Sequence, residues 1–158
     1  MTTLTSTERD QIKEDLATRV AEWTQGLCDS LTQNYRNYHV DMLERNSERY
    51  DGSMSQYAKD QLAAIEDGSA KLMYFKINAG RKFYKIVQME FDTFQDRNEY
   101  REGSVTAFVD KKTGEVYKPA SWKAPAKHVR YDMRIITHRQ ACHNPKVTGW
   151  AGGFLYMR

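Results

Sequence analysis

The chain lacks the residues and patterns that would place it quickly in a special class. Only two cysteines, Cys28 and Cys142, occur in 158 residues. That excludes a disulfide framework and any CxxC metal site, so both are expected to be plain thiols. No apolar run approaches the roughly 20 residues that cross a bilayer. The mean hydropathy of -0.79 likewise excludes an integral membrane protein, and no membrane partner is expected. Met1–Ser6 carries neither a basic patch nor a following apolar stretch, so no secretory signal is read and a cytoplasmic location is expected. Repeats and low-complexity segments are absent. So are a nucleophile elbow, a Walker loop, an HExxH pair and a dinucleotide fingerprint. No catalytic residue and no cofactor can be assigned, which favours a binding protein over an enzyme.

What is present is an ordinary globular balance, with 40% hydrophobic and 28% charged residues, at a length that suits one domain with one core. The charge is unevenly placed. Residues 1–70 hold 7 Lys and Arg against 13 Asp and Glu, while residues 71–158 hold 17 against 8. Asymmetry of this kind points to an acidic partner such as nucleic acid or nucleotide. The competing reading is that the two halves attract one another across the core.

Hydrophobic spacing divides the chain the same way. Ile12, Leu16, Val20, Trp23, Leu27 and Leu31 step by three and four, which is one stripe of an α-helix that Tyr35, Tyr38 and Met42 can extend. Thr5-Ser6-Thr7-Glu8 has the form of a capping box, with the helix beginning near Thr7. Asn34, Asn37, Asn46 and Ser47 weaken the pattern, and Asp51-Gly52-Ser53 breaks it. A second helix is expected over Ser55–Glu66, closed by Gly68. Beyond Gly68 the period becomes two. Leu72–Ile77 and Phe83–Phe91 read as a hairpin around a turn at Asn78–Arg81, and Asp92–Glu102 as a loop. Ser104–Asp110 and Glu115–Lys118 form a second hairpin around Gly114. Residues 119–130 are read as irregular, Tyr131–His138 as a short helix or fifth strand, and the aromatic tail from Gly149 to Tyr156 as docked on the body. The expected fold is therefore α+β: N-terminal helices (1–68, acidic) packed on a four- or five-stranded antiparallel sheet with a docked tail (69–158, basic), in a single domain.

The densest chemical signal lies in residues 111–134, where Lys111, Lys112, Lys118, Lys123, Lys127, Arg130 and Arg134 are interleaved with Tyr117, Trp122, His128 and Tyr131. Cations hold phosphate and an aromatic face accepts a base, a mixture suited to single-stranded nucleic acid or a nucleotide. One wall of the expected site is Lys118, Trp122, Lys123, Lys127 and Arg130. The other is Arg81, Lys82, Tyr84 and Lys85 on the first hairpin. Against this stands a plainer reading in which Trp122 plugs the open end of the sheet and the lysines only solubilise it. His128, His138, Cys142 and His143 fall close together but match no recognised zinc spacing, so no metal site is assigned and a metal-dependent enzyme is only an alternative. Gly149–Gly153 neither follows a clear strand nor opens a helix, so it reads as a turn rather than a phosphate cradle. Ala107-Phe108-Val109 echoes an RNA-recognition strand without its basic-Gly pair, and that fold is rejected.

The run AFVDKKTGEVYKPASWKAPAK (residues 107–127), followed by Val129-Arg130 and taken with the 80–86 hairpin, resembles a family of small proteins encoded by tailed bacteriophages. The resemblance implies a viral origin and expression in a bacterial host cytoplasm, and it carries over no catalytic residue. The expectation is thus a phage accessory protein that binds an anionic ligand. The alternative is a structural or host-interaction protein that meets a host or virion protein, with a homodimer through an edge strand or the long helix also open.

Overall fold

The chain opens into a helix of 43 residues, α1 (Ser6–Glu48), about 65 Å long at 1.5 Å per residue. The computed structural model describes residues 3–48 and 54–156. Thr5 caps the helix: its Oγ1 accepts from the Glu8 N–H at 3.1 Å, and the Glu8 carboxylate accepts from the Thr5 N–H at 2.8 Å. The capping box is thus real, and the helix starts at Ser6. Asn34 and Asn37 do not interrupt α1, because tertiary contacts outweigh their weak helix propensity. The expected break at Asp51–Ser53 lies outside the described residues. A second helix, α2 (Gln56–Asp67), is capped by the Ser55 side chain and closed by Gly68 at φ 82°.

Five strands follow in the order β1-β2-β3-β4-β5, every neighbouring pair antiparallel. They are β1 (Tyr74–Ala79), β2 (Phe83–Asp92), β3 (Glu99–Asp110), β4 (Glu115–Tyr117) and β5 (Tyr131–Asp132). A short helix, α3 (Ile136–Cys142), comes after β5. The architecture is α+β. Among the described residues no helix is long and apolar enough to cross a membrane.

Several boundaries differ from the sequence reading by one or two residues, β1 beginning at Tyr74 and not Leu72, and two differences have a physical lesson. The loop expected over Asp92–Glu102 shrinks to residues 93–98, because β3 begins at Glu99 and keeps pairing with β2 out to Asp92. Polarity misled there: ladder hydrogen bonds use the backbone, and Tyr100 alone supplies the apolar anchor, its ring 5.1 Å from Phe91 and 4.9 Å from Tyr74. The first turn is also later than expected. Asn78 and Ala79 stay in β1, and Gly80–Lys82 make the turn, with the Gly80 N–H donating to the Phe83 carbonyl at 2.9 Å. The segment left open between helix and strand supplies both, β5 and then α3.

The core lies between α1 and one face of the sheet. Val20, Leu27 and Leu31 pack with Phe75, Ile86, Ala107, Val109, Val116 and Met133, joined by Cys142 of α3 and Leu155 of the tail. α1 also protects the open edge of β1, since Thr32 Oγ1 accepts from the Phe75 N–H at 3.0 Å. A smaller cluster, Leu43, Ala58 and Ile65, fastens α2 to the end of α1. Most of the tail lies on the body, with Trp150 packed on Tyr35 and Tyr38 and Phe154 on Tyr131, while Tyr156, expected to dock with them, stays 60% exposed.

Candidate anion-binding site

Side chains alternate along a strand, and this sorts the first hairpin's basic and aromatic residues onto opposite faces. Tyr84 packs against the core with the helices, and Lys111 lies over its ring at 5.1 Å. Lys85, the next residue, stands on the other face, its Nζ 5.7 Å from the centre of the Phe108 ring. Tyr84 therefore does not belong to the site that the sequence assigned it.

The segment after β4 is less irregular than expected. Ala126 N–H donates to the Lys118 carbonyl at 2.7 Å, Pro119 and Pro125 form a bridge, and the Ala120 and Ser121 N–H groups both donate to the Ala124 carbonyl. The result is a tight turn with Trp122 and Lys123 at its tip. That tip meets the tip of the β1–β2 hairpin. Trp122, 39% exposed, lies with its ring centre 4.6 Å from Lys85 Nζ. Lys123 joins Asn78, Gly80, Arg81, Lys82 and Lys85 around a shallow pocket of about 250 Å³ floored by Phe83 and Phe108.

Among the described residues, none of Arg81, Lys82, Lys85 and Lys123 forms an ion pair. Glu102, which feels the charge of Lys85, is already committed: Lys76 Nζ holds it at 3.0 Å and Asn78 Nδ2 donates to it at 3.1 Å. Those hydrogen bonds, with a smaller contribution from the charge of Lys85, keep the Glu102 carboxyl below its ordinary range. Arg134 behaves differently. Its guanidinium binds Asp132 at 2.7 Å and reaches Glu115 at 3.8 Å, so it serves the fold. No ion pair among the described residues joins the helices to the sheet, so any attraction between the acidic and basic halves there acts without contact pairs.

The remaining residues assigned from sequence scatter. Lys118 lies 4.1 Å over the ring of Tyr156 and lines a separate hollow of about 210 Å³ with Thr106 and Gln88. Lys127 is exposed on the loop. Arg130 is half-buried, with Nε unpartnered among the described residues. Asn78 and Phe108 enter the pocket without having been assigned to it, and only strand pairing, which sets Lys85 opposite both, could have found them; Phe83, beside the first basic cluster in sequence, joins them.

His138, His143 and the two thiols serve structure, while His128 is exposed on the loop after β4. His138 Nδ1 accepts from the Asp132 N–H at 2.9 Å, and His143 Nε2 donates to the Trp23 carbonyl at 2.8 Å. Cys28 and Cys142 are buried free thiols, each pushed up to about 12 chiefly by burial. Among the described residues no group of three His, Cys, Asp or Glu side chains is placed to hold a metal ion. The metal-dependent alternative therefore has no ligand set there.

No curated protein and no solved structure matches the chain. A family model does match, over residues 5–157. With nearly the whole described chain covered, the protein belongs to that family, a family of unknown function (DUF7717).

Proposed function

We propose that the chain is a binding protein that holds single-stranded nucleic acid by its phosphates on the sheet face away from α1. The observation that carries this is the meeting of Arg81, Lys82, Lys85 and Lys123 from two separate turns with no carboxylate among the described residues paired to any of them. Cations gathered in this way repel one another, and an anion relieves that repulsion. A strand suits the shape better than a free nucleotide. The pocket's volume of about 250 Å³ is below the roughly 300–1,000 Å³ of enclosed small-molecule sites, so it takes a phosphate while the adjoining base stacks on exposed Trp122. The resemblance to tailed-phage proteins gives the setting of the proposal, an infected bacterial cytoplasm.

The test is fluorescence anisotropy of a labelled oligothymidylate across a salt series. With up to four phosphate contacts, the logarithm of the binding constant is expected to fall with a slope near about -3 against the logarithm of salt. The Arg81→Ala/Lys123→Ala variant should lower that slope by about 1.4, and Trp122→Ala should cost about 1–3 kcal/mol for the stacked base. Absence of binding at low salt overturns the proposal.

One observation favours a second reading, a protein partner. Residues 3–15 are all exposed, with Leu4 at 46% and Ile12 at 53%, so the first turns of α1 stand clear of the body. A host or virion protein, or a second copy of the chain, that stays bound through nuclease treatment would support it.

A further inference from the structure

A larger concavity, of about 660 Å³, lies between α1 and the segment that follows α3. Its walls are fixed by hydrogen bonds from one unexpected residue. Asn34, a poor helix former in mid-helix, donates from Nδ2 to the Pro145 carbonyl at 2.6 Å and accepts at Oδ1 from the Trp150 N–H at 2.9 Å. Both ends of its amide are spent on one stretch of backbone. One turn earlier, Ser30 Oγ and the fully buried Thr148 Oγ1 share a hydrogen bond of 2.6 Å. Residues 145–150 are thereby held to α1 at three points, so the groove exists before any ligand arrives and costs little to order on binding.

The lining pairs rings with charge. Trp150 meets Tyr35 edge-on at 5.2 Å and Tyr38 at 5.5 Å, yet Tyr38 remains 48% exposed, leaving aromatic surface facing the groove. Arg36 and Lys146 flank it, and neither forms an ion pair among the described residues. Asn37 Oδ1 accepts from Gln33 Nε2 at 2.8 Å, which leaves its amide N–H groups as donors. Asp41 adds a carboxylate acceptor on the same rim. The volume lies within the range of small-molecule sites, which combine apolar walls with a few placed polar groups.

We propose that this groove binds a small molecule in which a planar ring carries an anionic group, a mononucleotide being the simplest natural class with both. The ring lies against Tyr38 and Trp150, the anion sits with Arg36 and Lys146, and a hydroxyl or amino donor meets Asp41. The groove shares no residue with the cationic pocket on the far face of the sheet, so it stands or falls separately from the nucleic-acid reading.

Calorimetric titration of the full chain with AMP, UMP, phenyl phosphate and adenosine tests the proposal. Saturable binding of at least one phosphorylated probe is expected, with adenosine weaker than AMP by about tenfold or more, a loss of about 1.4 kcal/mol. The Arg36→Ala/Lys146→Ala and Tyr38→Ala variants, all at exposed positions and checked for folding by circular dichroism, should each weaken it by about tenfold. Arg81→Ala/Lys123→Ala should leave it unchanged while weakening oligothymidylate. The proposal is overturned if no phosphorylated probe saturates at millimolar concentration, if adenosine and AMP bind alike, or if the Arg81/Lys123 variant loses the probe while the Arg36/Lys146 variant keeps it.

Discussion

Gly26 faces the ring of His143 so closely that an added Cβ would lie 2.6 Å from Nε2. That nitrogen is the donor to the Trp23 carbonyl, so an alanine at Gly26 must displace the bond that ties α3 to α1. Gly26→Ala is therefore expected to destabilise the chain by about 1–3 kcal/mol through overpacking, read from urea unfolding. Gly149→Ala, where a Cβ meets nothing within 4 Å, is the control and should change little. A glycine inside a helix stripe gives no sign of such a neighbour, because His143 is distant in sequence. The same holds for Asn34: its composition signal was a weak helix, whereas its use is to clamp backbone from the other end of the chain. Tyr84 and Lys85 were separable from sequence alone, since consecutive strand residues face opposite ways; grouping them treated a run of basic and aromatic residues as if it were a surface.

At the scale of the element, α1 shows how far a hydrophobic stripe can be trusted. Ile12 and Leu27 lie on the same stripe, yet Ile12 is 53% exposed while Leu27 is fully buried in the main core. Leu27→Ala should cost about 2–5 kcal/mol, with a cavity left behind. Ile12→Ala should stay within about 0.5 kcal/mol. Thermal unfolding of the two variants checks both, and a large effect at Ile12 would mean that a partner or second copy covers the start of α1 in solution. Periodicity gave the helix and its inward face, but not where the sheet beneath it ends. For the strands, alternation located β1, β2, β3 and β4 to within a few residues. It missed the outer half of β3, whose polar residues pair through the backbone.

At the scale of the whole molecule, the ion pairs among the described residues all lie within the sheet half, and none of them joins the acidic helices to the basic sheet. Three of the carboxyls there hold acid-sensitive stability, Glu102 through its hydrogen bonds from Lys76 and Asn78. Asp132 is kept below its ordinary value of 3.8 first by its hydrogen bond to Arg134, and Asp92 first by the Phe94 N–H and then by the charges of Arg101 and Arg97. Each of these two aspartates binds fewer protons folded than unfolded, so its contribution is present above the unfolded value near 3.8 and is lost as the pH falls through the lower folded one. Urea midpoints should therefore drop on acidification, and Asp132→Asn should flatten that drop while lowering the midpoint at neutral pH.

By itself the sequence determined the class of fold, the long capped helix, the succession of hairpins and the separation of acidic from basic halves, since propensity, period and composition are local quantities. Tertiary structure alone decided which cations converge and which disperse. It drew Arg81, Lys82, Lys85 and Lys123 together, set Lys118 on Tyr156, gave Arg134 to Asp132, and built a groove from Asn34 and Trp150. A site is made by the register of strands and the meeting of distant turns, and although alternation says which neighbours share a face, which turns meet is not written in the order of residues.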